Sequence, residues 1–377
     1  MPSYKITRID GCSRGGELVT THGTVPTPAF MPVATQATVK GISPQELWES
    51  GTHLCICNTY HLMQRPGAGI IQSAGGLSRF MGWNGATATD SGGFQAFSLG
   101  PLCKVTPEGF IFQSHIDGQR WELTPRLAME LQEQLRADLV MALDLPLPYP
   151  ANEAQAKSAL EQTTSWAEQC LTHHQVNDQI LLGIVQGGFN EELRLQSAKE
   201  LVNLGFDGYA IGGLSVGEPK ALMWRLLQAS LSEIPSDSLR YLMGVGSPED
   251  ILTAIGMGVD LFDCVLPTRN ARNGQIFTHT GRVNIKNGSY AADFSPPDPE
   301  CSCPVCQHHT RAYLRHLLWA NEMLGAQLAT LHNLYFYQEM MAKARIAIIE
   351  GHYQLFKEQW LASLSTNENP IKPDCLG

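Results

Sequence analysis

The chain has 377 residues, 43% of them hydrophobic and 16% charged, with ten cysteines and a formal charge of −10. That acidic balance argues against nucleic-acid binding through a broadly basic surface, so any RNA contact has to come from a local patch. No apolar run reaches the roughly 18 residues of a membrane helix, and the opening Met1-Pro2-Ser3-Tyr4-Lys5 has no signal-peptide pattern; the expectation is a soluble cytoplasmic protein, no membrane partner, and cysteines used as thiols or metal ligands rather than in disulfides.

In chain order, eight short apolar, β-branched stretches each end on a small or polar residue: 29–35, 53–58, 86–90, 138–144, 180–186, 207–213, 240–246 and 259–263. Unbroken apolar runs of this length are what buried parallel strands need. Helical patterns lie between them. Thr124-Pro125 opens one, with Leu127, Leu131 and Leu135 along its stripe. Asn190 and Gly205 bracket a second, carrying Leu193, Leu201 and Leu204, and Ser247-Pro248-Glu249-Asp250 opens a third. Eight alternations predict an α/β fold, a (β/α)8 TIM barrel, over residues 1–286; a doubly wound open sheet shares the same alternation. Asp117-Gly118 marks a β-hairpin inserted at about 100–123. Beyond 287 the pattern turns to cysteines, prolines and long helices, and a zinc-binding helical subdomain is expected over 287–377, packed on the barrel.

In a barrel of this kind the chemistry sits at the C-terminal ends of the strands. Those ends carry Asn58, Asp90, Asp144, Gln186, Gly212-Gly213, Gly244-Val245-Gly246 and Asp263, the last ending the eighth strand. A single aspartate after a strand is ordinarily a cap or turn former. Three at separate strand ends suit glycosidic chemistry, one as nucleophile and another as acid or base, or equally a divalent-metal site. A metal-dependent hydrolase would want several strand-end histidines, which are scarce here. Gln186-Gly187-Gly188 and Gly212-Gly213-Leu214 combine an amide with glycines that admit a flat ligand, although such glycines also serve plain turns. Gly244 to Asp250 places glycines before a capped helix, a phosphate-holding pattern or an ordinary loop. Arg269 and Arg272 could fork phosphates or base edges, or simply be solvated.

The sharpest local pattern is Cys301-x-Cys303-x-x-Cys306, which wraps thiolates around one soft cation. Tetrahedral zinc then needs one more ligand, and His308, His309, His316 and His332 are all available.

Together these motifs resemble the tRNA-guanine transglycosylases, also called queuine tRNA-ribosyltransferases. The resemblance rests on TDSGGFQ (89–95), VQGG (185–188), GYAIGGLSVGE (208–218), YLMGVGSPEDI (241–251), FDCVLPTRNARNG (262–274), DPECSCPVC (298–306), TRAYL (310–314) and LHNL (331–334), and it spans nearly the whole chain. It implies a zinc-bearing barrel working as a homodimer, which exchanges the wobble guanine of tRNAs with a GUN anticodon for a 7-deazaguanine, in queuosine modification. It implies Asp263 as the nucleophile on ribose C1′ and Asp90 as the proton acceptor. It implies a base site of Asp90, Ser91, Gly92, Gly93, Phe94, Asp144, Gln186, Gly213 and Leu214, with Phe94 stacking on the base. RNA contacts are implied for Gly244, Val245, Gly246, Ser247, Pro248, Glu249 and Asp250, and for Thr268, Arg269, Asn270, Ala271 and Arg272. The zinc ligands implied are Cys301, Cys303, Cys306 and His332, one ion per subunit with a structural role.

One block departs from the pattern. Bacterial members usually carry Asp-Glu-Cys-Thr-Pro-Tyr-Pro-Ala after the fourth strand, where this chain reads Asp144-Leu145-Pro146-Leu147-Pro148-Tyr149-Pro150-Ala151. Apolar bulk replaces polar groups near the base's 7-substituent, which shifts the expectation from 7-aminomethyl-7-deazaguanine towards queuine. The other readings open to the sequence are a related transglycosylase with another deazapurine or nucleic acid, and a non-catalytic partner subunit. The second would be expected to lose Asp263 and Asp90, and both are present.

Overall fold

Alternating apolar residues build a closed wall here. In a computed structural model, which describes residues 1–114 and 116–365, the chain opens with three antiparallel strands, β1 (Ser3–Asp10), β2 (Ser13–Thr20) and β3 (Gly23–Thr27). Eight parallel strands follow: β4 (Ala29–Pro32), β5 (Leu54–Cys57), β6 (Ala86–Thr89), β10 (Leu139–Met141), β11 (Ile180–Val185), β12 (Gly208–Ile211), β13 (Leu239–Leu242) and β14 (Leu261–Cys264). Between β6 and β10 lie β7 (Cys103–Thr106), β8 (Gly109–Gln113) and β9 (Arg120–Leu123). Each parallel strand pairs with the next in chain order, β14 pairs back with β4, and the parallel bridge Val33–Ile56 closes the ring between β4 and β5. Closure excludes the open-sheet alternative.

All eight stretches expected as strands are strands, though shorter than expected, and β14 runs one residue past Asp263. Because side chains alternate across a strand, one parity faces the barrel interior. Ala29 and Met31, Leu54 and Ile56, Ala86 and Ala88, Leu139 and Met141, Ile180, Leu182 and Ile184, Ala210, Tyr241 and Leu261 form that inner cluster. The same parity, carried one step further, brings Asn58, Asp90, Gln186, Gly212 and Asp263 to the upper rim.

The expected helices are capped as their sequences dictate. Thr124 accepts from the Leu127 N–H, Asn190 from Leu193 and Ser247 from Asp250, and Gly205 closes its helix with a positive φ. The expected hairpin at 100–123 is a three-stranded antiparallel sheet, β7-β8-β9, with Asp117-Gly118 at the β8–β9 turn. Residue 115, within the expected 100–123 insertion, and residues 366–377, the end of the expected 287–377 unit, lie outside the described residues.

The N-terminal sheet went unforeseen because β1 is mostly polar and alternates without an apolar run. It covers the bottom of the barrel: Leu18 and Val25 fill the interior from below, and two acids at strand starts hold it down. Asp260 pairs with buried Arg14 and accepts from Tyr4 Oη at 2.8 Å. Asp138 accepts from Thr21 Oγ1 at 2.6 Å and meets His22 Nδ1 at 2.9 Å.

After the barrel, β15 (Gln275–Thr278) and β16 (Gly281–Asn284) form a hairpin that leads to the cysteine loop and the long helix Met323–Glu350. That helix is tied to the barrel by polar bonds to backbone. Tyr337 donates to Gly246 O at 2.6 Å, Gln338 to Phe30 O at 3.2 Å and Arg345 to Pro28 O at 2.8 Å. Among the described residues no helix is long and apolar enough to cross a membrane.

Candidate active site and metal module

A cavity of about 700 Å³ opens at the C-terminal rim of the barrel, lined by Asp90, Asp144, Gln186, Gly213, Leu214, Tyr241 and Asp263 among others. The three carboxylates predicted from strand ends therefore meet in one place. Asp144 reaches it from a loop three residues beyond β10 rather than by strand parity.

Each carboxylate is held differently. Asp263 Oδ1 accepts from Tyr241 Oη at 2.6 Å and from the Gly244 N–H at 2.7 Å, while Oδ2 has no donor among the described residues. Burial raises the Asp263 pKa, and those two donors partly offset the shift. Asp90 has both oxygens engaged: Oδ1 by the Thr59 N–H at 2.9 Å, Oδ2 by Gln95 Nε2 at 2.9 Å and by Asn58 Nδ2. Burial pushes Asp90 up to about 6 against these donors, with Asp263 adding like-charge repulsion. Asp144 accepts from Gln186 Nε2 at 2.7 Å and Ser91 Oγ at 3.3 Å, and burial lifts it as well to about 6.

The two glycine loops close one side. Gly213 sits at a φ of +65°, and a Cβ there would lie 2.6 Å from Gln186 Oε1 and displace that amide, so both backbone and slot favour glycine. Phe94 stands exposed at the lip, on a short helix that begins at Gly93 just after Gly92. An apolar wall adjoins these loops: Pro146, Leu147, Pro148, Tyr149 and Val216 line it, and Tyr149 rests edge-on against Phe189 with centroids 4.8 Å apart. Leu145 does not join them. It packs into the core, and its N–H goes to Thr163 Oγ1 at 3.1 Å.

Of the segment 244–250, only Gly244 lines the cavity, and its N–H is already given to Asp263. Val245 and Gly246 are buried, Ser247 and Pro248 start a helix, Glu249 pairs with Arg282 and Asp250 with Lys220. Of Thr268–Arg272, Arg269 lines the cavity, and Arg272 lies half-buried with Nη1 on Thr268 O at 2.8 Å. Thr268 and Ala271 are buried, and Asn270 donates to Gln275. Tyr241, Thr59 and Gln95 hold the acids, a role not expected for them from the sequence motifs. Tyr241 carried a usable signal, since it shares the inward parity of Leu239 on β13.

Cys301, Cys303, Cys306 and His332 form a buried group whose ligand atoms all lie within 4.8 Å of one another. His332 Nε2 donates to Phe277 O at 2.7 Å, which fixes the tautomer and leaves Nδ1 facing Cys306 Sγ at 3.3 Å and Cys303 Sγ at 3.5 Å. Three thiols and one neutral imidazole with no open position fit a structural zinc. His308 and His316 are exposed, and His309 stacks on Tyr313, so the fourth ligand left open by spacing is His332.

A closed parallel barrel whose upper rim gathers three carboxylates and an amide belongs to the class of barrel proteins with a polar site at the C-terminal ends of the strands, a set of groups suited to glycosidic chemistry. A family profile described as queuine tRNA-ribosyltransferase matches residues 10–366. Proteins named queuine tRNA-ribosyltransferase are similar over nearly their full length. The one from Pelotomaculum thermopropionicum is 52% identical over 361 residues, covering 95% of this chain and 98% of its own. That from Desulforamulus reducens is 52% identical over 349 residues, covering 93% and 94%, and that from Nitrosomonas europaea is 51% identical over 348, covering 92% and 94%. The chain belongs to the queuine tRNA-ribosyltransferase family.

Proposed function

We propose that the protein is a tRNA-guanine transglycosylase, replacing the wobble guanine of GUN-anticodon tRNAs with a 7-deazaguanine by double displacement. The observation that carries the reading is the unequal holding of the two rim carboxylates. Asp263 has one oxygen pinned by two donors and one bare, the arrangement a nucleophile needs. Its Oδ2 attacks ribose C1′ as the C1′–N9 bond to guanine breaks, and Asp90 delivers a proton to the departing base. The incoming base gives its N9 proton to Asp90 and attacks C1′ in turn, releasing the Asp263 carboxylate. With a pKa near 6, Asp90 exchanges a proton readily near neutral pH.

Guanine's N1–H and amino edge finds an acceptor in Asp144, and O6 finds donors in the Gln186 amide and the Gly213 N–H. Adenine would leave these groups unpaired, an exclusion on the order of 10⁴–10⁵-fold for a hydrogen-bonding site. Ser91, Gly92 and Gly93 shape the floor of this slot, Leu214 its edge, and Phe94 stacks on the base. Arg269 and Arg272 grip the anticodon loop, with the remainder of Thr268–Arg272 and of Gly244–Asp250 shaping the path of its backbone; a local patch of this sort reconciles RNA binding with a charge of −10. Residues 1–286 form the catalytic unit and 287–377 the zinc-bearing unit, and the enzyme acts as a cytoplasmic homodimer. The apolar wall from Pro146 to Tyr149 favours queuine, whose ring is bulkier than an aminomethyl group.

Incorporation of radiolabelled guanine into a guanine-wobble tRNA, competed by each 7-deazaguanine, tests the reading. Exchange with trapping of an enzyme–RNA adduct on denaturing gels supports it. Absence of both from zinc-loaded protein overturns it.

A further inference from the structure

Arg194 is fully buried in the helix Glu191–Leu204, and among the described residues it hydrogen-bonds no carboxylate. Its donors go instead to glycine carbonyls of the two loops that flank the base slot. Nε reaches Gly188 O at 2.9 Å, and Nη2 reaches Gly212 O at 3.0 Å and Gly213 O at 3.3 Å. Among the described residues Nη1 meets no partner. A desolvated guanidinium with no carboxylate hydrogen-bonded to it is costly, even with Glu218 attracting it through space, and an apolar residue would fill the space with less penalty. Such a charge is kept for what it holds.

What it holds is one end of the segment 212–218. The other end is held by buried Glu218, whose carboxylate accepts the Ser215 N–H and, at 2.9 Å, the Val216 N–H. The cation takes carbonyls, the anion takes amides, and the peptide groups between them are left over. Among the described residues the Gly213 N–H, the Leu214 N–H and the Leu214 carbonyl have no partner, and both residues line the cavity. The Ser215 backbone sits at a φ of +60°, a conformation that needs such restraint in a residue other than glycine.

We infer that Arg194 is a positioning residue for base recognition: from behind the slot it fixes the Gly188 and Gly212–Gly213 carbonyls, so that the Gly213 and Leu214 peptide groups are presented to the base. Held by its planar fork, the loop is ordered before the base arrives, and binding does not have to order it. The inference rests on the transglycosylase reading above. Burial lowers the Arg194 pKa to about 10, with Glu218 opposing, so the guanidinium stays charged at neutral pH.

Two variants test this, Arg194→Lys, which keeps the charge but cannot span three carbonyls, and Arg194→Met, which removes both. Guanine exchange is measured beside 2-aminopurine, which lacks O6. Wild-type exchange with guanine establishes the transglycosylase reading, so its failure is seen separately. For either variant that folds, with zinc content and circular dichroism unchanged, the expected results are a KM for guanine raised at least tenfold, kcat within threefold, and guanine-over-2-aminopurine selectivity reduced at least tenfold. A merely structural arginine would lower the melting temperature without moving selectivity, and selectivity within twofold of wild type overturns the inference. Hydrogen exchange on the wild-type protein gives a measurement independent of folding. Within peptides covering 212–216, the unpartnered Gly213 and Leu214 amides should exchange quickly in the free enzyme and become protected by guanine, beside slow exchange at the hydrogen-bonded Gly212, Ser215 and Val216 amides; protection of Gly213 and Leu214 already complete without base overturns it too.

Discussion

Tyr241 and Asp263 stand on adjacent strands, β13 and β14, with the phenol donating to Asp263 Oδ1 at 2.6 Å and the Gly244 N–H meeting the same oxygen at 2.7 Å. Both donors therefore restrain one oxygen and turn the other towards the cavity. Tyr241→Phe removes one of the two. A hydrogen bond to a charged group contributes about 1.5–3 kcal/mol, so kcat should fall roughly 10–100-fold. The acid limb of the pH–rate profile should also move up, because the carboxylate loses a donor that favours its charged form. Asp263→Asn should abolish the RNA adduct while tRNA binding stays measurable. Steady-state kinetics and denaturing gels check the two, and an undiminished adduct in Asp263→Asn would move the nucleophile elsewhere, to Asp90 first.

Asp90 and Asp144 are both held near 6, above the ordinary 3.8, chiefly by burial. On the base-binding role proposed for Asp144, its protonation below pH 6 removes an acceptor for the base's N1–H and amino edge, so kcat/KM for guanine should fall as pH drops from 7 to 5. For folding the sign is opposite. A carboxylate whose folded pKa is raised contributes stability that is full below its unfolded pKa and is lost as pH rises through the folded one. Asp144→Asn should therefore gain on wild type between pH 4 and 7, by up to about 3 kcal/mol. Urea midpoints at both pH values decide it, and a pH-independent difference would contradict the shift.

One zinc per chain is expected, held by Cys301, Cys303, Cys306 and His332. The site joins the cysteine loop to the long helix Met323–Glu350 and, through Phe277, to β15. Structural zinc contributes on the order of 10–16 kcal/mol to the fold that binds it. Cys303→Ala or prolonged chelation should release the metal and expose the C-terminal helices to protease while the barrel persists. Metal analysis and limited proteolysis test this; Cys303→Ala protein that keeps both metal and protease resistance would rule the site out.

The Arg14–Asp260 pair anchors the N-terminal sheet beneath the barrel and is almost fully buried. Arg14→Met leaves the Asp260 carboxylate with only neutral donors, Tyr4 Oη and the Arg240 N–H. The expected loss is roughly 3–5 kcal/mol, read as a lower urea midpoint with an unchanged slope. A loss below about 1 kcal/mol would mean that the pair behaves like one at the surface.

The wall of Pro146, Leu147, Pro148 and Tyr149 should favour a bulky 7-substituent, so queuine is expected to compete with guanine at least as well as 7-aminomethyl-7-deazaguanine does. Side-by-side kcat/KM values measure this. A preference above about tenfold for the aminomethyl base, roughly 1.4 kcal/mol, would make the altered loop neutral for substrate choice.

Much of the fold and of the site is legible in the amino-acid sequence. The eight apolar runs and their polar ends determined an α/β fold of buried parallel strands and the residues at their ends, because inward parity and strand ends are local properties of the chain; the choice of a barrel over an open sheet came from the pairing of β14 with β4. Cys301-x-Cys303-x-x-Cys306 determined a metal site, because thiolates at that spacing converge without help from elsewhere. Other features depended on distance in space. The choice of His332 among four histidines came from a helix that crosses back beside β15. The roles of Tyr241, Gln95 and Arg194 came from neighbours far along the chain or behind the slot, and no periodicity encodes a partner. Leu145 turning into the core while Leu147 lines the cavity reflects how the loop packs on Thr163 and its helix. Composition and period specify which residues face inward; only closure of the barrel decides which of them meet.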